Sequence, residues 1–357
     1  MKKWEEHVRR VVPYTPGEQP NRPGMIKLNT NENPYPPSPE VQKALEGLKA
    51  DSFRLYPDPS ASELITALAE YYGKDRERFF VGVGSDDVIA MAFQTFFNSE
   101  KPILFPDISY SFYSVWAELF GIPYRRPALD QEFRLVKEDY FAENGGIIFP
   151  NPNAPTGIYM ELDGVEEILA RNPDSVVIVD EAYVDFAGPS AMELVDRYEN
   201  LMVVQTFSKS RSMAGMRIGF AYAQPALIRY LNDVKYSFNS YTMNLPSLKL
   251  GAAALKDRSY FQETVGKIVN TRERVKKELS ALGFSFPDSR ANFIFASHES
   301  CPARELFEAL KEQNIYVRYF SSPGIDNYLR ITVGTDEEMD ALLEFLNRYL
   351  NGKKERE

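Results

Sequence analysis

The segment Val176-Val177-Ile178-Val179-Asp180-Glu181-Ala182-Tyr183 reads as an apolar strand ending on an acid, with an aromatic hydroxyl three residues further on. A second apolar run, 201–207, leads into Ser208-Lys209-Ser210-Arg211 and on to Arg217. The runs 79–83, 102–105, 146–150 and 218–223 have the same character and alternate with amphipathic helical stretches. Strands apolar on both faces and separated by helices are the mark of βα units, with helices covering both sides of a largely parallel sheet. The fold class is α/β.

Working outward, residues 1–36 are rich in Pro, Asn and Gly and read as an N-terminal arm lying across another surface. Ser38-Pro39-Glu40 opens a helix with a hydroxyl cap and a proline at its first position. Ser60-Ala61-Ser62-Glu63 reads as a capping box for a helix that stops near Gly73. A large domain spans 37–255. Residues 256–357 form a small C-terminal α/β domain: a long helix over 257–283, a strand (291–296), a helix (302–313), strands 315–319 and 328–333, a last helix, and a frayed tail from Asn351.

The chain has 357 residues and a formal net charge of −10, which argues against nucleic acid as a partner. Its one cysteine, Cys301, cannot form an intrachain disulfide, as suits a reducing cytoplasm. Two histidines, His7 in a polar leader and His298 in the turn Ser297-His298-Glu299-Ser300, offer little for a zinc site or a Ser-His-Asp triad. No run approaches the length of a membrane-spanning helix, and no metal is expected.

The residues at the strand ends carry the chemistry. A loop lysine is usually a solvated cation, but Lys209 sits among hydroxyls with two arginines close in sequence. Asp180 alone would be explained as a helix cap; that reading leaves Tyr183 without a role. Together they suit pyridoxal 5'-phosphate (PLP): a lysine to bind its aldehyde, and an aspartate to keep the ring nitrogen protonated so that the ring takes up electrons. Tyr183 would bond the ring's phenolic oxygen. Thr206, Ser208 and Arg217 would satisfy its phosphate ester. Asn151-Pro152-Asn153-Ala154-Pro155-Thr156-Gly157 is at least a turn, and Asn153 is placed to donate to the same phenolic oxygen. Gly82-Val83-Gly84-Ser85-Asp86-Asp87 joins a strand to a helix whose free N–H groups suit a phosphate, although the motif alone is weak. Tyr110 is either core or a ring stacked on the cofactor. Arg318 and Arg330, on adjacent strands of the small domain, suit a dianionic or carboxylate substrate.

Read together, these pieces resemble the class II, fold-type I PLP-dependent aminotransferases over nearly the whole chain. The most specific elements are the Asn-Pro-Asn-x-Pro-Thr-Gly segment, the strand ending Asp180-Glu181-Ala182-Tyr183, and Thr206-x-Ser208-Lys209 with Arg217 following. The resemblance implies a large domain with a mainly parallel seven-stranded sheet between helices, plus a small C-terminal domain to which the N-terminal segment contributes. It implies Lys209 as the cofactor-binding lysine, Asp180 as the ring-nitrogen partner, and Tyr183 and Asn153 as phenolate partners. Ser85, Asp86, Ser208 and Arg217 would hold the phosphate and Tyr110 would stack on the ring. Tyr56 would reach the cofactor of a second subunit, so a homodimer with shared active sites is implied. Tyr14, Arg318 and Arg330 match positions that grip the substrate. Two departures stand out: Ala154 replaces an asparagine, and Ser109-Tyr110-Ser111-Phe112 differs from the commoner tyrosine-glycine form.

The implied reaction is a transamination between histidinol phosphate and 2-oxoglutarate in the cytoplasm, without membrane or nucleic acid. Threonine-phosphate decarboxylation and aromatic or broad-specificity transamination are the alternatives on the same scaffold. A regulator using the fold as a ligand sensor would need an added DNA-binding domain, and a dinucleotide enzyme would leave Lys209 unexplained.

Overall fold

The computed structural model describes residues 2–354. A seven-stranded sheet runs Phe79–Val83, Ile218–Ala223, Leu201–Thr206, Val177–Asp180, Ile147–Pro150, Ile103–Leu104, Tyr124–Arg125 in spatial order. All neighbours are parallel except that Ile218–Ala223 runs antiparallel to both of its partners. The two-residue strand Tyr124–Arg125 was not among the apolar runs, because it is an edge strand with no buried residue.

Side chains alternate across the sheet, and each face has its own core. Val177, Val179, Phe149 and Val203 pack on one side with the helices Ser62–Tyr72, Leu162–Arg171 and Leu245–Ala254. Ile178, Ile148 and Val204 pack on the other with Ser85–Phe96, Phe112–Phe120 and Pro225–Phe238.

A second sheet has the order Ile26–Leu28, Ile315–Tyr319, Leu329–Thr332, Phe293–His298, Phe284–Ser285. The helices Arg258–Ala281, Ala303–Glu312 and Asp336–Lys354 close its core through Val275, Leu279, Leu306, Leu310, Leu342 and Leu346. A smaller apolar cluster, including Tyr183, Ile268, Phe293 and Val333, joins the two sheets.

Local expectations needed correction at several points. The N-terminal stretch is more than a surface arm: Ile26–Leu28 pairs in parallel with Ile315–Val317, and Asn29 and Asn31 just beyond it are buried. No capping box forms at Ser60–Glu63. Ala61 takes the cap position with φ 49°, and Asp58 accepts from the Ser60 and Ser62 N–H groups instead. Ser38 precedes the helix Pro39–Glu46 but makes no side-chain cap bond. His298 ends a strand rather than lying in a turn, and its Nδ1 accepts from the Ser300 and Cys301 N–H groups. The final helix carries the tail as far as Lys354, and residues 355–357 lie outside the described residues. Among the described residues, no helix is long and apolar enough to cross a membrane.

Candidate active site

Sheet topology gathers the site. Ile218–Ala223 is antiparallel to both Phe79–Val83 and Leu201–Thr206, so those two strands run the same way as Val177–Asp180 and Ile147–Pro150. Four strands therefore end at one edge, where open α/β sheets bind their ligands. Beyond those ends lie Gly84-Ser85-Asp86, Ser208-Lys209, Asp180 and Asn151-Pro152-Asn153. Arg217 stands at the same edge because the antiparallel strand begins there.

Asp180 is buried on the face that carries Ile178, and Tyr113 donates to its Oδ2 at 2.7 Å. Burial, with nearby Asp86 adding to it, pushes the Asp180 carboxyl up to about 6. Burial and Asp180 hold the Tyr113 hydroxyl well above its usual range, so it remains a donor. Such a carboxylate keeps its charge best beside a cation. Removing the donor with Tyr113→Phe leaves a buried carboxylate oxygen less satisfied. A loss of about 1–3 kcal/mol in unfolding free energy by urea denaturation is expected, and an unchanged value would show that this bond does not support Asp180. Glu181 faces the opposite core. Its carboxylate accepts from the Ala191 N–H at 2.6 Å and from Gln205 at 2.8 Å, and burial pushes it up to about 7; it serves the scaffold.

Lys209 Nζ donates to the Thr30 carbonyl at 3.0 Å and lies 5.8 Å from the Tyr183 ring centroid. Tyr183 is buried, and its hydroxyl accepts from Asn31 Nδ2 at 2.9 Å. Asn153 is also buried at this edge, but its amide departs from expectation. Its Nδ2 donates to the Ile108 carbonyl and to Thr156 Oγ1, both at 3.0 Å, while Oδ1 has no hydrogen-bond partner among the described residues. To donate toward a phenolic oxygen, this amide must turn about its last bond.

The helix Ser85–Phe96 begins at Gly84, whose φ of 84° favours glycine, so its first N–H groups are directed out of the strand end. Space around that turn is tight. A Cβ on Gly84 would meet the Arg217 guanidinium at 2.4 Å, and one on Gly219 would meet the Ser85 nitrogen at 2.3 Å. Thr206 and Ser208 are buried beside it with their hydroxyls 3.0 Å apart, and Arg217 reaches Ser208 Oγ at 3.4 Å. Backbone donors, two hydroxyls and a guanidinium fit a phosphate ester. Asp86 cannot join through its carboxylate, which accepts from Tyr110 at 2.8 Å and Arg217 at 3.2 Å; its contribution is its place in the first helical turn.

Arg318 and Arg330 face each other in antiparallel register. Burial and the neighbouring Arg318 push the Arg330 guanidinium down, its Nε has no hydrogen-bond partner among the described residues, and its Nη2 donates to the Asn29 carbonyl at 3.1 Å. Two cations side by side suit an anion. Tyr14 stacks on Phe112 at 4.3 Å between centroids, next to Tyr110. Tyr56 is drawn to none of these groups. It is 82% exposed and packs on Tyr241 at 4.7 Å.

Two features escaped sequence reasoning. Tyr113 lies in the aromatic run Ser111-Phe112-Tyr113-Ser114, and nothing in that spelling separates it from core. The second is the strap Asn29-Thr30-Asn31-Glu32-Asn33, which threads between the sheets. Lys209, Arg330, Tyr183 and Asn292 all bond to it, and Asn33 bonds back to the Lys209 and Ser210 carbonyls. Three asparagines within five residues, ahead of a proline, were a signal read only as loop composition.

Comparison with known proteins gives the family. Residues 23–346 match the family described as aminotransferase class I and II. The chain is 50% identical over 351 residues to the histidinol-phosphate aminotransferase of Lactococcus lactis subsp. cremoris, covering 98% of this chain and 99% of that one. It is 52% identical over 344 residues to the enzyme of that name from Pseudomonas putida, covering 96% and 99%. Its fold is similar to the crystal structure of histidinol-phosphate aminotransferase from Sinorhizobium meliloti in complex with pyridoxal-5'-phosphate, with a TM-score of 0.84, 22% identity and coverage of 92% and 91%. The chain belongs to the class I and II aminotransferases. It is a transaminase, and its cofactor is pyridoxal 5'-phosphate.

Proposed function

We propose that this transaminase exchanges an amino group between histidinol phosphate and 2-oxoglutarate, a step in histidine synthesis. The observation that carries the reading is the pairing of two linked sites. Lys209, Asp180 and Tyr183 meet at one sheet edge, and the facing arginines Arg318 and Arg330 reach them from the second sheet through the shared strap. Relatives about half identical over nearly their whole length bear the matching name.

Bound at this edge, PLP supplies an aldehyde carbon for the amine and a ring that takes up electrons. The chain's residues do the rest. Lys209 would hold the cofactor through Nζ, and the same amine, when free, would carry a proton at that atom. Asp180 holds a positive charge at the ring nitrogen, and Tyr183 with a turned Asn153 binds the phenolic oxygen. The Gly84–Ser85 helix terminus, Thr206, Ser208 and Arg217 hold the phosphate, and Tyr110 covers the ring. Arg318, Arg330 and Tyr14 take the anionic end of each substrate in turn. The enzyme is a homodimer in which Tyr56 of one copy completes the site of the other. Its exposed position beside Tyr241 leaves it available for that contact. The unpaired cysteine, Cys301, suits work in the cytoplasm.

The test is a visible spectrum of the PLP-loaded protein. L-histidinol phosphate is expected to convert the lysine-bound absorbance to that of the amino form, and 2-oxoglutarate to restore it. A spectrum that ignores histidinol phosphate but responds to phenylalanine or to threonine phosphate would overturn the substrate assignment and leave the cofactor site standing.

A further inference from the structure

We infer that Asn31 is a positioning residue for the cofactor: its amide fixes which way the Tyr183 hydroxyl donates. This inference rests on the PLP reading above and concerns a residue outside the site predicted from sequence.

A tyrosine hydroxyl has one hydrogen to give and lone pairs to receive. At Tyr183 the oxygen is occupied as an acceptor by Asn31 Nδ2 at 2.9 Å, a group that can only donate. The single Tyr183 hydrogen is thereby left free to be given to a group other than Asn31. The other end of the Asn31 amide faces Thr332. Thr332 Oγ1 donates to its Oδ1 at 3.1 Å, so the amide oxygen lies toward Thr332 and the nitrogen toward Tyr183. Its backbone is clamped as well, with its N–H on Thr332 Oγ1 at 3.0 Å and its carbonyl on Asn292 at 3.0 Å. The residue is 1% exposed and sits at φ 56°, a left-handed conformation that glycine adopts without steric cost. Glycine would satisfy the backbone here, so the side chain is what the position adds.

The relay runs from the second sheet to the first. Thr332 ends the strand Leu329–Thr332, which also carries Arg330, and its hydroxyl orients Asn31, which in turn orients Tyr183. The charged and titratable groups around Tyr183 are Lys209, Arg330, Asp180 and Tyr113. Among the described residues none of them bonds to the Tyr183 hydroxyl; that bond is made by Asn31. With PLP bound, a Tyr183 hydrogen that Asn31 leaves free would be given to the cofactor's phenolic oxygen, would favour its deprotonated form and would lower the pH at which the lysine-bound chromophore titrates.

The experiment compares Asn31→Asp and Asn31→Gly with the parent, each loaded with PLP, by following absorbance against pH without substrate. A carboxylate at position 31 cannot donate; it accepts the Tyr183 hydrogen and diverts it from the cofactor. Asn31→Asp is expected to raise the titration midpoint by about one pH unit, the scale of one charge-assisted hydrogen bond. Asn31→Gly keeps the left-handed turn, frees the hydroxyl to rotate, and should give a smaller rise in the same direction. It also keeps the question decidable should the aspartate variant not fold. Thermal melting of the PLP-free proteins separates the alternatives. If both variants melt earlier yet titrate with the parent's midpoint, Asn31 is only a structural clamp and the inference is overturned. If the parent protein takes up no PLP and shows no band, the cofactor reading fails, and this inference fails with it.

Discussion

Lys209→Ala is expected to abolish turnover while leaving the fold and much of the cofactor affinity in place. Loss of both the attacking amine and the proton carrier removes a nucleophile and a general acid–base together. A fall of about 10⁴-fold or more follows from the second role alone at its upper range. The structural cost is small, because among the described residues the side chain makes one hydrogen bond, to the Thr30 carbonyl. Losing it costs roughly 1 kcal/mol. The cradle of Gly84–Ser85, Thr206, Ser208 and Arg217 is untouched, so PLP should still bind, now without a covalent link. Borohydride reduction followed by mass spectrometry reads the link, and single-turnover absorbance with histidinol phosphate reads the chemistry. An alanine variant that keeps turnover within tenfold of the parent would remove Lys209 from the mechanism. A small added amine should restore part of the proton transfer but none of the covalent attachment.

The sequence made the scaffold legible because parallel strands buried on both faces are spelled without alternation, and the six apolar runs correspond to six of the seven strands. The site was legible for a related reason. Residues just past such strands share one edge whatever the intervening loops do, so Asp180, Lys209, Asn153 and Ser85 could be grouped before any coordinate was known. Legibility ended where a role depends on partners distant in sequence. Asn31 reaches Tyr183 across 152 positions and Thr332 across 301. No local pattern encodes a hydroxyl's donor direction. Tyr113 is hidden by its aromatic neighbours. At Ser60 no capping box forms, and Asp58, two residues earlier, accepts from the Ser60 N–H that Glu63 would have taken and from the Ser62 N–H. The amide of Asn153 illustrates a different limit: residue type and position were right for a phenolate partner, yet its donors are engaged by Ile108 and Thr156.

Asp180→Asn should move stability and activity in opposite directions. Tyr113 can still donate to the amide oxygen, and the shape is kept. The negative charge beside the cofactor's ring nitrogen is gone, so the ring loses its protonated, electron-withdrawing form. Removing one such preorganised electrostatic partner costs on the order of 10³-fold in turnover. In the PLP-free protein the same charge is a burden. Burial raises the carboxyl from 3.8 to about 6, so the folded state holds this proton more tightly than the unfolded chain does. The stabilisation from that proton is present below pH 3.8 and is lost as the pH rises through about 6. Above pH 6 the parent carries the full penalty, on the order of 3 kcal/mol for a shift of about two units, and about half of it at pH 5. The asparagine variant carries none. PLP-free Asp180→Asn should therefore resist urea better than the parent, with the gap wider at pH 8 than at pH 5, while its turnover collapses. A variant less stable at both pH values would mean that Tyr113 and the strand end solvate the carboxylate fully. Its charge would then be held without cost, and the cofactor would not be needed to balance it.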